Sequence, residues 1–326
     1  MNGLYDCSTV ASCIRSGKQL LIAGDEKLLG ALPPGTWIGG TIPYFMTDLG
    51  GLQTMDRLFV NEMPHSTETI VERYDIEHLP TLCCDHPGHG FTVMLVPAFT
   101  AIHELFAKTV SDFPGLHSRP LIGWVSGVAL GDLGRSEPKV FDGRTGRCST
   151  SEAIAMHVVL PETQRAVVSL INLFEPGDGD AITFPEAGFS TTMASINGRL
   201  TNFADYLADR VIDTELPLVA VYDAGMVNVS IQSADPVDGK VKFYAPVFPH
   251  ITYRIAAPVR DYARSFETRI DAAGAPYTFA CNCILNYVYA NLEGRKIGRL
   301  TGPMTFGEIA YRLLNQTAVS LAIEPA

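Results

Sequence analysis

Four groups of residues in this chain have types and spacing that suit chemistry. The densest is Cys83-Cys84-Asp85-His86-Pro87-Gly88-His89, with two cysteines, an aspartate and two histidines in seven positions. That set offers several ligands to zinc or iron, and His86 or His89 would suit an axial position on a haem. Structural zinc sites use paired C-x-x-C or C-x-x-H spacing, however, and Pro87-Gly88 marks a turn, so an ordinary polar loop is the competing reading. The second group is Cys281-Asn282-Cys283, followed by Asn286 and Tyr287 at an expected helix start. A cysteine at a helix N-terminus has its thiolate favoured by the helix dipole, which would make Cys281 or Cys283 a candidate nucleophile or redox sensor. A nucleophilic thiol also needs a base, and the nearest histidine in sequence is His250. The competing reading is two small core-facing thiols.

The third group is Thr305, Glu308, Asn315 and Thr317. A carboxylate in so apolar a setting must be paired or exposed. Glu308 either meets an amine or guanidine of a ligand or caps a helix beginning near Phe306. The fourth is Gly39-Gly40-Thr41, where glycines at a strand end let a ligand approach the backbone; a glycine bulge or plain turn is the alternative. The acidic run Glu175–Asp180 lacks the twelve-residue calcium-loop pattern and reads as a solvated turn. Ser126-Gly127 does not complete G-x-S-x-G, and no P-loop, Rossmann fingerprint, HExxH or kinase set occurs.

The elements that would position these groups alternate between strand and helix. Strand 19–23, a helix through Leu32 stopped by Pro33-Pro34, and strand 36–42 form an expected βαβ unit. Residues 61–76 read as a helix or exposed connection. Strand 91–96, helix 100–110 and an apolar segment, 120–128, with Gly123 and Gly127 inside it, follow. From Ala155 strands dominate (156–160, 166–174, 180–184), then helix 202–211 and a meander over 216–222, 227–232 and 240–244. Helix 259–270, a strand ending in the cysteine turn, helix 284–292 and an apolar final strand 318–323 complete the pattern. Asn315-Gln316-Thr317 reads as the turn before that last strand.

The terminal combination G-P-x-T-F-G-E-I (Gly302–Ile309), then L-N-Q-T (Leu314–Thr317) and an apolar strand, resembles the end of FIST domains, intracellular sensory modules of signal transduction. Phe279–Cys283 is similar to that family's strand ending in a cysteine-bearing turn. Trp37–Thr41 is similar to its apolar strand followed by glycine and a small hydroxyl residue. The resemblance touches both ends of the chain and implies a bacterial small-molecule sensor with its ligand left open. Together with strand-end position it suggests Gly39, Gly40, Thr41, Cys281, Asn282, Cys283 and Glu308 as ligand-lining residues. Some FIST relatives bind haem through a histidine as nitric-oxide sensors, so haem is the cofactor to consider here.

At 326 residues, with 47% hydrophobic and 18% charged residues, the chain suits two lobes, 1–198 and 199–326, cut near Gly198. The expected fold class is mixed α/β (α+β), each lobe a mixed β-sheet flanked by helices, with the ligand in the cleft between them. A net charge of −11 argues against nucleic acid and anionic membranes as partners. Met1–Leu20 lacks an export signal, no window suits a membrane helix, and seven irregular cysteines read as reduced thiols, so the expected compartment is the cytoplasm. A small molecule and a separate signalling protein are the expected partners. The alternative functions are a haem or metal protein using His86 or His89, and a thiol-dependent enzyme using Cys281 or Cys283.

Overall fold

The computed structural model describes the chain except residues 65, 85–87, 223–224 and 273–276. It is a mixed α/β structure, as expected, and its described strands form five sheets. The first sheet runs Asn2–Tyr5, Leu58–Glu62, Leu20–Gly24, Trp37–Thr41, Val140–Asp142, Arg147–Ser149. The second runs Leu313–Leu314, Glu308–Ala310, Leu121–Ser126, Gly90–Pro97, Ala153–Val159, Glu68–Tyr74. The third runs Gln164–Ile171, Ala318–Pro325, Phe279–Cys283, Gly302–Thr305, Tyr44–Thr47, Gly50–Gln53. Two further sheets, built from strands between Ile182 and Ile255, pack with the helix Phe203–Asp209.

Each of the first three sheets contains one parallel strand pair, and every other ladder among the described strands is antiparallel. The pairs are Leu20–Gly24 with Trp37–Thr41, Gly90–Pro97 with Leu121–Ser126, and Phe279–Cys283 with Gly302–Thr305. A helix bridges each pair, as a parallel crossover requires: Glu26–Gly30, Ala101–Thr109 and Ile284–Tyr289. The fold therefore uses one strand–helix–strand unit three times. Asp25 caps the first helix by accepting from Lys27 N (2.9 Å), and Thr100 caps the second through His103 N (3.3 Å). Cys283 occupies the cap position of the third without a side-chain cap bond.

The three units meet at Trp124. Its indole stacks on Phe279 with ring centres 5.4 Å apart, and a Cβ at Gly40 would lie 2.9 Å from its Nε1. The carboxyl ends of the units also converge. Gly127 N donates to Thr41 O (2.7 Å), and Phe306 N donates to Val125 O (3.1 Å).

Several expectations change here. Residues 61–76 are mostly strand, because Leu58–Glu62 pairs with Leu20–Ala23 and Glu68–Tyr74 with Ala153–Val159. Gly198 lies in the turn joining two paired strands, Met193–Ile196 and Arg199–Asn202. Strands from both sides of it share sheets: Glu308–Ala310 pairs with Ile122–Trp124, and Ala318–Pro325 with Gln164–Ile171. No helix begins near Phe306, since Glu308 lies in a strand. Among the described residues no helix is long and apolar enough to cross a membrane.

Close approach of the parallel strands depends on glycine. A Cβ at Gly123 would fall 1.8 Å from Met94 O, and one at Gly302 would fall 2.0 Å from Ala280 O. Backbone cannot yield as a side chain does, so Gly123→Ala should destabilise the protein by about 3 kcal/mol or more. Chemical denaturation would show this as a large drop in midpoint; an unchanged midpoint would refute the tight packing assigned to this strand pair.

Candidate functional site

A buried polar cluster surrounds Glu308, which is 0% exposed. The apolar strands Leu121–Ser126 and Glu308–Ala310 pair so that Glu308 lies opposite Trp124, and this register carries the carboxyl into the core. Burial pushes its pKa up to about 8, against the hydrogen bonds that favour the charged form. Oε2 accepts from Thr317 Oγ1 (2.7 Å) and Thr317 N (3.3 Å), and Oε1 lies 3.4 Å from Thr305 Oγ1. The neutral acid fits this shell. Thr305 Oγ1 also lies 3.1 Å from Gly307 O, so its hydroxyl can donate there while accepting from the protonated acid.

The Asn315-Gln316-Thr317 turn extends this cluster to the neighbouring sheets. Ser230 Oγ lies 2.8 Å from Asn315 Oδ1 and 2.5 Å from Gln316 Oε1, and Ser230 N donates to Asn315 Oδ1 (3.0 Å). Gln316 Nε2 donates to Glu215 O (2.9 Å), and Asn228 Nδ2 lies 3.3 Å from both Asn315 O and Gln316 O. These contacts hold Gln316 at a positive φ of 50°, unusual for a residue other than glycine.

Cys281, Asn282 and Cys283 come up against the same cluster. Burial raises both thiols well above the usual range, and the nearby Glu308 raises them further. Cys281 Sγ faces Gly123 O at 3.6 Å. Both thiols are buried, as core-facing side chains are, whereas a nucleophilic cysteine sits in an electropositive, partly exposed setting. Cys84 and Cys148, which are exposed, should react with iodoacetamide in the native protein, and Cys281 and Cys283 should remain unmodified until it unfolds. Mass mapping after brief labelling checks this.

Asn282 is fully buried. Its Oδ1 accepts from Asn286 Nδ2 (2.8 Å), while its Nδ2 makes no well-formed hydrogen bond and faces the Tyr262 phenol. Tyr262, Asn286 and Gln316 reach from this network into a cavity of about 430 Å3. Phe174, Asp213, Glu215, Leu216, residues 258–263, Tyr289 and Arg295 also line it. Charges of both signs surround it: Arg260 and Arg295, with Asp213, Glu215 and Asp261.

Of the expected ligand-lining residues, Cys281, Asn282, Cys283 and Glu308 are thus brought together, in the core beneath this cavity and not on its surface. Gly39, Gly40 and Thr41 lie in a different sheet, and neither the cavity nor the bonds of Glu308 include them. Thr41 ties down a loop: its Oγ1 accepts from Lys139 N (2.9 Å) and lies 3.3 Å from Lys139 O. The cavity residues Tyr262, Asn286 and Gln316 were not singled out as ligand contacts in the sequence. The signal for Asn286 and Gln316 was their place beside the Cys281 turn and in the L-N-Q-T run. The expected metal residue His86 lies outside the described residues. His89 is exposed, its Nε2 bonded to Gln164 O, and no group of three metal-ligating side chains occurs among the described residues.

The fold and site define an α/β protein with three strand–helix–strand units and a buried acid beneath a polar cavity. Residues 5–324 match the family of unknown function DUF6976, and the chain belongs to that family. No curated protein matches it.

Glu308 makes stability depend on pH with a definite sign. A carboxyl raised in the folded state contributes stability that is fully present below its unfolded pKa and is lost as pH rises through about 8. Glu308→Gln reproduces the neutral acid, with an amide NH for Thr305 and a carbonyl for Thr317. The variant should match the parent at pH 5 and exceed it by on the order of 4 kcal/mol at pH 9. Denaturant titrations at the two pH values check this; parallel pH profiles would show that Glu308 titrates normally.

Proposed function

We propose that this protein is a small-molecule-binding sensor, as its resemblance to FIST domains implies, with the ligand held in the cavity of about 430 Å3. The observation that carries this reading is the floor of that cavity. Tyr262, Asn286 and Gln316 line it, and Asn286 and Gln316 are hydrogen-bonded into one buried network that ends at Glu308. A few convergent polar groups in a concave site are what orient a small ligand. The two-lobe arrangement belongs to this proposal: residues 1–198 supply Phe174 to the cavity, and residues 199–326 supply the rest of its lining.

The mixed charges favour a small polar metabolite of amino-acid type. Arg260 and Arg295 suit a carboxylate, and Asp213, Glu215 and Asp261 suit an ammonium or guanidinium group. In this reading the protein works in the cytoplasm and passes its signal to a separate protein.

The buried position of Asn282 and Glu308 makes their alanine variants poor probes, because each would leave unpaired polar groups in the core. Arg260 and Arg295, both exposed, are better choices. Native mass spectrometry of the protein as purified should show an added mass of metabolite size, identifying the ligand for calorimetry. Arg260→Ala and Arg295→Ala should each weaken its binding tenfold or more, about 1.4 kcal/mol. Unchanged affinity in both variants would remove this cavity as the site.

A further inference from the structure

A second cavity, of about 290 Å3, lies where the strand–helix–strand units end. Phe99 follows the strand Gly90–Pro97, Leu130 and Leu133 follow Leu121–Ser126, Ile284 follows Phe279–Cys283, and Phe306 follows Gly302–Thr305. The lining thus comes from the carboxyl ends of two parallel strand pairs, and Thr41 O, at the end of the third, holds Gly127 beside it. The carboxyl ends of parallel strands are where open α/β sheets form their ligand crevices.

Two features set this cavity apart from a packing defect. Phe99 has φ of 62°, a strained conformation for a bulky residue, and it holds a ring that is 55% exposed against Phe306, with centres 5.9 Å apart. Folding gains little from an exposed ring held at that cost, whereas a ligand contact gains a fixed aromatic wall. Tyr244, half-buried in the opposite wall, has a hydroxyl that bonds to none of the described residues. Leu130 and Leu133 are also exposed at the rim.

We propose that this cavity binds a neutral aromatic compound of one or two rings carrying one hydrogen-bonding substituent. The rings of Phe99 and Phe306 would pack edge-to-face or offset on it, the aliphatic side chains would enclose it, and the Tyr244 hydroxyl would take the substituent. The size fits, since a cavity of about 150 Å3 accommodates a benzene ring. This site is separate from the larger cavity, and its lining carries no ionised side chain.

The test uses the full chain and 2-naphthol as the probe, with naphthalene as the comparison, by calorimetry and fluorescence. The expected result is saturable binding of one 2-naphthol per chain. The double variant Leu130→Asp/Leu133→Asp, substituted at the exposed rim so that the fold is retained, should weaken it at least tenfold. Tyr244→Phe should weaken 2-naphthol several-fold and leave naphthalene unchanged. Arg260→Ala, in the larger cavity and off the helix Ile284–Tyr289, should leave 2-naphthol unchanged. Absence of saturable binding, or full affinity in a double variant whose melting curve matches the parent, would overturn the proposal. So would binding lost in Arg260→Ala and kept in the double variant, which would assign the probe to the larger cavity.

Discussion

The contact between Trp124, Gly40 and Phe279 is the constraint on which the rest of the molecule depends. One indole joins strands of three separate sheets, and it fits because position 40 has no Cβ and position 279 offers a flat face. Large aromatic side chains contribute most per residue to a core, and their geometry fixes how neighbouring elements may approach. Trp124 is also the cross-strand neighbour of Glu308, so the packing that joins the units sets the depth of the buried acid. The polar network is therefore a product of the fold, held at a position from which it cannot drift toward water.

A buried carboxyl surrounded by donors has two stable descriptions, charged or neutral, and the magnitudes decide between them. Transfer of an unpaired carboxylate into the core costs far more than three hydrogen bonds return, so the neutral form prevails near pH 7. A neutral acid needs an acceptor as well as donors, and Thr305 supplies one. That requirement explains why, among the described residues, Glu308 is bonded by hydroxyl side chains, a thiol and backbone. An arginine there would have produced the opposite titration.

Much of this was legible in the sequence, and the gaps have physical causes. The parallel units showed through as apolar runs separated by helical spacing, because strands buried on both faces cannot carry alternating polar residues. The final strand and the Asn315-Gln316-Thr317 turn were visible for the same reason. The edge segments, 44–53 and 61–76, were not, because their pairing depends on partners distant in sequence. The site was half legible. Strand-end position and the family resemblance put Cys281, Asn282, Cys283 and Glu308 in one set with Gly39, Gly40 and Thr41; the first four do lie together, but with no sign in the sequence of their depth. Whether a polar residue faces a cavity or a core depends on what the opposite segment contributes, here 213–216, and a local pattern carries no information about that.

The short helix Ile284–Tyr289 is where these features combine. At about 100° per residue its first residues and its last face different ways. Ile284 and Leu285 line the apolar cavity, while Asn286 and Tyr289 line the polar one. Six residues without a side-chain cap at the N-terminus are marginal as a helix in isolation, so packing alone holds this one in place. Its entry residue, Cys283, rests against Glu308, and its Asn286 bonds to Asn282. An occupant of either cavity that prefers one position of this helix acts on the other cavity through the same six residues, and by an amount limited to its difference in affinity for the two positions. Communication between the cavities thus needs no long chain of contacts, only an element both of them touch and neither fixes.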